Sequence, residues 1–175
     1  ICSIMVYHAT RRTFWHGIRT GPKFVFTSGI LGSSSLLVLC TALSLGEGPA
    51  SLAATQALAP LSLCLGICLV VKLAGELWVL SHLRDLNHSS LKRTAKLHWE
   101  VMWVHCAWRI AFGLCGGVGM PIGLMMMMGH DSVASVGALV FVALGFAMTF
   151  VGELLERYLF FTAVVALKMP GRMPG

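Results

Sequence analysis

Polar and apolar residues in this chain separate into long blocks and do not alternate at a short period. Four stretches contain no Asp, Glu, Lys or Arg: Phe24–Gly46, Gly48–Val71, Ile110–Gly129 and Ser132–Gly152. Each has about the 20 residues that a helix needs to cross roughly 30 Å of hydrocarbon. Extended to their flanking apolar residues, they predict helices over about 24–46, 54–82, 99–128 and 132–161. The expected fold is an all-α membrane protein with four transmembrane helices in two hairpins. The segment Ile1–Tyr7 resembles the apolar end of an earlier helix. The reading is therefore a single transmembrane domain over residues 1–175, half of an eight-helix bundle whose N-terminal helices precede the sequence.

Composition agrees with this pattern. Of the 175 residues, 57% are hydrophobic and 11% charged, whereas soluble domains run near a quarter charged. The formal charge of +6 does not point to nucleic acid, because the basic residues lie in short segments beside the spans. Arg11, Arg12, Arg19 and Lys23 precede the first span. Arg84, Lys92, Arg93 and Lys96 lie between the second and third, and Lys168 and Arg172 follow the fourth. The connections around Glu47 and Asp131 have no Lys or Arg. By the positive-inside rule the basic segments and the C-terminus are cytoplasmic, in a multi-pass protein of the cytoplasmic (inner) membrane. The first outer turn, Gly46-Glu47-Gly48-Pro49, has the residues of a chain reversal. Gly129-His130-Asp131-Ser132 forms the second and offers caps for the fourth helix. Glycines 113, 116, 117, 119 and 123 thin one side of the third helix, which Pro121 is expected to kink.

Ionisable residues in or at the edge of a span are costly and become functional candidates. Measured from the outer turns, Glu76, Arg109 and Glu153 fall roughly 30 Å down, at one level. Arg109 should reach at least one of the two carboxylates within about 4 Å, directly or through water. Lys72–Glu76 and Glu153–Arg157 are i,i+4 pairs. His105 is the one histidine at the membrane edge. Two readings of Lys72, Glu76, His105, Arg109, Glu153 and Arg157 stand side by side. They neutralise one another and anchor the helices, or they surround a quinone headgroup or proton path. Gly75-Glu76-Leu77 and Gly152-Glu153-Leu154 occupy equivalent positions in the two hairpins, as in a duplicated unit.

Other chemistry has weaker support. A haem b needs axial ligands from facing helices, and no two histidines lie in opposite spans. Cys64 and Cys68 lack the spacing and histidine partners of a metal site and read as packing residues. Met125–Met128 point around a helix and do not converge on a soft metal. No metal ligand is assigned.

Cys2-Ser3-Ile4-Met5-Val6-Tyr7 with Thr10-Arg11-Arg12-Thr13-Phe14-Trp15 resembles the entry to the second half of DmsC-type subunits. These are the membrane anchors of dimethyl sulfoxide reductase-like molybdoenzymes. Gly75-Glu76-Leu77 through His82-Leu83-Arg84-Asp85 and Leu91-Lys92-Arg93 is similar too. So is Gly152-Glu153-Leu154-Leu155-Glu156-Arg157-Tyr158-Leu159-Phe160-Phe161, ending near Met169-Pro170-Gly171. The resemblance covers nearly the whole chain, although the family has about eight helices. It implies a membrane anchor subunit in a complex of anaerobic respiration, with a molybdopterin catalytic subunit and an iron–sulfur subunit as partners. It further implies electron exchange with menaquinone or ubiquinone as an exchangeable substrate. Molybdopterin and iron–sulfur clusters would reside in the partners and no cofactor in this chain, whose role is non-catalytic. The alternatives are a helical-hairpin transporter fragment and a haem b-type quinol-oxidising anchor.

Overall fold

The computed structural model describes residues 17–81, 103–128 and 135–162. They form α1 (Gly17–Ser44), α2 (Pro49–Ser81), α3 (Trp103–Leu114), a π-helical segment (Cys115–Gly119), α4 (Met120–Met128) and α5 (Val136–Thr162). Four stretches are long and apolar enough to cross a membrane: Gly21–Ser44, Pro49–Leu77, Trp103–Met128 and Val136–Leu159. The chain is a multi-pass helical membrane protein. The basic link at 82–98, the second outer turn and the segment 1–7 lie outside the described residues.

Helix starts differ from the sequence expectation for local reasons. The second helix begins at Pro49 instead of 54. A proline at the first helical position loses no intrahelical bond and already holds a helical φ. Gly48 precedes it at φ 112°, a conformation open to glycine because it has no Cβ. The fourth helix starts at Val136 instead of 132, and its cap is Ser135, whose Oγ accepts from the Ala138 N–H at 3.1 Å. That bond satisfies one donor that a helix start otherwise leaves open.

The helices pack as an up-down-up-down bundle. α1 packs on α2 and α5, while the third span packs on α5 and α2. Burial follows a repeat of alternating three- and four-residue steps. On α1 it runs through Thr27, Ile30, Ser34, Leu37, Thr41 and Ser44. On α2 it runs through Leu58, Ser62, Leu65, Leu69 and Lys72, and on α5 through Ala138, Val142, Gly145, Thr149, Gly152, Glu156 and Leu159. This is the heptad stripe of helices crossing at a shallow angle. The opposite faces are apolar and uncovered, as at Leu63, Ile67, Val140 and Leu144. In water that would be an aggregation hazard, and in lipid it is the expected outer surface. Buried hydroxyls on the stripes bond within their own helices. Thr41 donates to the Leu37 carbonyl at 2.8 Å and Thr149 to the Gly145 carbonyl at 2.9 Å, so neither leaves an unpaired donor.

The third span changes register at its glycines. Pro121 has no N–H for the carbonyl four residues back. In the wide turn just before it, the Met120 N–H donates to the Cys115 carbonyl, five residues back. The extra residue of a π turn brings two adjacent glycines into buried positions. Gly116 lies against Gly145 and Thr149 of α5, and Gly117 against Leu69 of α2. A Cβ on Gly116 would come within 2.6 Å of the Gly145 carbonyl oxygen, which is backbone and cannot swing aside. Gly119, by contrast, is uncovered, and a Cβ there meets only ordinary contacts. Gly116→Val should therefore destabilise the protein by about 1–3 kcal/mol, read as a lower thermal midpoint in detergent. Gly119→Ala should leave the midpoint unchanged. Equal tolerance of both substitutions would contradict this packing.

Candidate functional site

One end of the bundle collects the ionisable side chains of all four spans. Lys23 and Thr27 lie at the start of α1, Lys72 and Glu76 near the end of α2. Arg109 is on α3, and Glu153 and Glu156 near the end of α5. Antiparallel succession brings these positions together. At 1.5 Å per residue, Lys72, Arg109 and Glu153 each sit about 8–9 Å inside the end of their span. Glu47, in the turn after α1, is at the other end.

Lys72 crosses from α2 to α5. Its ammonium forms an ion pair with Glu153 and another with Glu156 at 2.9 Å. It also donates to Thr27 Oγ1 at 2.7 Å, and that hydroxyl donates on to Glu153 Oε2 at 2.8 Å. The three donors of the ammonium are thereby matched by three acceptors on two other helices. Arg109 uses Nη2 for both remaining carboxylate contacts, to Glu76 Oε1 and Glu153 Oε1, each at 3.2 Å. Lys23 approaches the second oxygen of Glu156 at 3.9 Å. Three cations and three carboxylates thus form one connected network.

Arg109 is expected to reach at least one carboxylate within about 4 Å, and it reaches both Glu76 and Glu153. The two i,i+4 pairs are not the pairs that form. Lys72 is drawn to α5 because its position is on the buried stripe of α2, facing the bundle axis, where the α5 carboxylates stand. Arg157 is half-buried and reaches across to α1, laying its guanidinium over the ring of Phe24, 3.8 Å from the centroid. His105 also lies outside the network, uncovered, with its ring 5.4 Å from that of Tyr158. The network therefore gathers Lys72, Glu76, Arg109 and Glu153 of the residues singled out in the sequence, and leaves His105 and Arg157 at the rim.

Three members escaped sequence reasoning. Glu156 follows Glu153 by three residues, on a shared helix face, which was a usable signal. Thr27 and Lys23 are four apart on α1, but a hydroxyl and a basic residue at a span's start carry no sign of their partner on α5.

The arginine owes its place to two glycines. A Cβ on Gly113 would fall 2.8 Å from Arg109 Nη1, and one on Gly152 would fall 3.5 Å from it. Glycine at those points lets the guanidinium lie between α3 and α5. Its Nε and Nη1 are buried and donate to no acceptor among the described residues. Exposure grades across the network: the side chains of Lys72, Arg109 and Glu153 are at most 3% uncovered, against 19% for Glu76 and 31% for Lys23. Glu76 is thus the network carboxylate that can most readily meet a molecule from outside.

Removing one member of a buried ion pair leaves its partner uncompensated, at about 3–5 kcal/mol. Lys72→Met should lower stability by that order, since Glu153 and Glu156 both lose their nearest cation. Lys72→Met with Glu156→Gln should recover part of the loss, because one stranded charge is removed. Unfolding midpoints of the purified variants in detergent would show this, and an unchanged midpoint for Lys72→Met would contradict the network.

No protein-family model, curated protein or solved structure matches the chain.

Proposed function

We propose that this chain is the membrane anchor subunit of a molybdopterin and iron–sulfur oxidoreductase complex, exchanging electrons with the quinone pool. The observation that carries the reading is the acid–base network at one end of the spanning bundle. Its Glu76 is partly uncovered, and beside it Arg109 has buried N–H groups without an acceptor in the described residues. Oxidation of a quinol releases two electrons and two protons, and these must leave by different routes. Electrons would pass to the clusters of an attached subunit. The protons need a nearby base with access to water.

Glu76 fits that role better than its neighbours. Glu153 is held by Lys72, Arg109 and the Thr27 hydroxyl, and Glu156 by Lys72 and Lys23. Among the described residues Glu76 has one ion partner, Arg109. An arginine does not release its proton in proteins, so Arg109 cannot pass one from Glu76 to Glu153. In this reading Arg109 orients Glu76 and offers hydrogen bonds to a quinone oxygen, while Lys72, Glu153 and Glu156 hold the helices. The motif similarity to DmsC-type anchors, strongest in Gly152–Phe161, supports the same assignment. So does the alternation of basic and acidic connections in the sequence, from which the positive-inside rule would assign the network end to the cytoplasmic side.

A helical-hairpin transporter is the second reading, and the π segment of the third span favours it, since such irregularities recur at functional sites. Identification by mass spectrometry of the chains that co-purify with the intact complex separates the two. Iron–sulfur and molybdopterin subunits are expected; their absence from an intact preparation would favour the transporter. Within the complex, Glu76→Gln should preserve assembly and lower quinol turnover by about 10²–10⁴-fold, the usual worth of a positioned acid–base group. Full turnover in that variant would remove Glu76 from the proton route.

A further inference from the structure

Arg157 is the charge that the network does not absorb. Four cations (Lys23, Lys72, Arg109 and Arg157) meet three carboxylates among the described side chains at this end of the bundle. The carboxylates are taken by the first three, and Arg157 is held only by the face of Phe24 at 3.8 Å.

That contact has a geometric consequence. A guanidinium held over an aromatic ring keeps its full charge, and its planar fork suits the oxygens of a phosphate. Phe24 is on α1 and Arg157 on α5, so the fork is fixed at the edge where these helices meet. Lys23, next to Phe24 in the chain and partly uncovered, adds positive potential on the same edge. Tyr158 and Phe161, on α5 beside Arg157, are about half uncovered. Aromatic side chains in such positions are typical of the headgroup level. Arg157 lies two residues before the end of its span at Leu159, and Lys23 two residues after the start of its span at Gly21. Both are about 3 Å inside those ends, from where a long basic side chain can snorkel to the headgroup level.

We infer that the α1–α5 edge binds the phosphate of an anionic phospholipid, with Arg157 as the fork and Phe24 as its support. Arg157 has no carboxylate partner among the described residues, so the fork itself calls for an anion, which favours an anionic lipid over a zwitterionic one. This site is independent of any quinone chemistry.

Native mass spectrometry of the full chain, released from membranes of phosphatidylglycerol and phosphatidylethanolamine, tests it. The wild type should retain phosphatidylglycerol in preference to phosphatidylethanolamine. Arg157→Gln should lower phosphatidylglycerol occupancy roughly five-fold, as expected for one basic residue at an anionic surface. Phe24→Leu keeps the charge but removes its support, and should give a smaller loss in the same direction. Thermal midpoints of both variants establish that they are folded; if Arg157→Gln is not, the Phe24→Leu result decides. Undiminished phosphatidylglycerol in a folded variant would overturn the site, as would equal retention of phosphatidylethanolamine by the wild type. Inorganic phosphate that displaces the lipid at millimolar concentration would identify a free-anion site instead and overturn the assignment to lipid.

Discussion

Lys72 and Arg109 are two cations buried inside an apolar bundle, and neither can be left uncompensated there. An arginine or lysine at the centre of a spanning helix costs about 2.5–3.5 kcal/mol even on insertion scales. Both are neutralised chiefly from α5, through Glu153 and Glu156, with Glu76 of α2 and the Thr27 hydroxyl of α1 completing the set. Because the partners are on different helices, the network fixes which helices are neighbours and how far each is displaced along its axis. Apolar stripes alone would tolerate sliding, since the lipid outside is as apolar as the leucines within.

Backbone design makes room for those charges. Gly113 and Gly152 leave a slot for the guanidinium, and Gly116 and Gly145 let α5 and the third span approach closely. The π turn before Pro121 allows consecutive glycines to face two different helices. Steric and electrostatic demands thus meet in the third span, with Arg109 one turn from Gly113 and two from Gly116. A bulkier residue at any of these glycines would act on the ion network through packing.

Much of this was legible in the sequence. Four uncharged blocks give four spans, because lipid imposes a length and a composition that few other folds share. The common level of Arg109 and Glu153 followed from counting residues along helices of fixed rise. Partner choice was less accessible. Lys72 and Glu76 are one helical turn apart, so the nearer acid was the natural partner. The buried stripe of α2, however, turns Lys72 toward α5. That stripe was hard to see beforehand, because membrane helices are apolar on every face and burial leaves little contrast in residue type. The same lack of contrast hid the pairing of Arg157 with Phe24. Glu156 was visible as the residue three after Glu153, but its partner Lys23 lies 133 positions away.

The most direct test of the account is the Lys72–Glu153 contact in a bilayer. Solid-state NMR on protein with ¹⁵N-labelled lysine and ¹³C-carboxyl glutamate measures it, and a Lys72→Met sample assigns the signal. The network predicts strong dipolar coupling between one lysine Nζ and a glutamate carboxyl carbon, lost in Lys72→Met. A wild-type spectrum in which no lysine shows such coupling would contradict it.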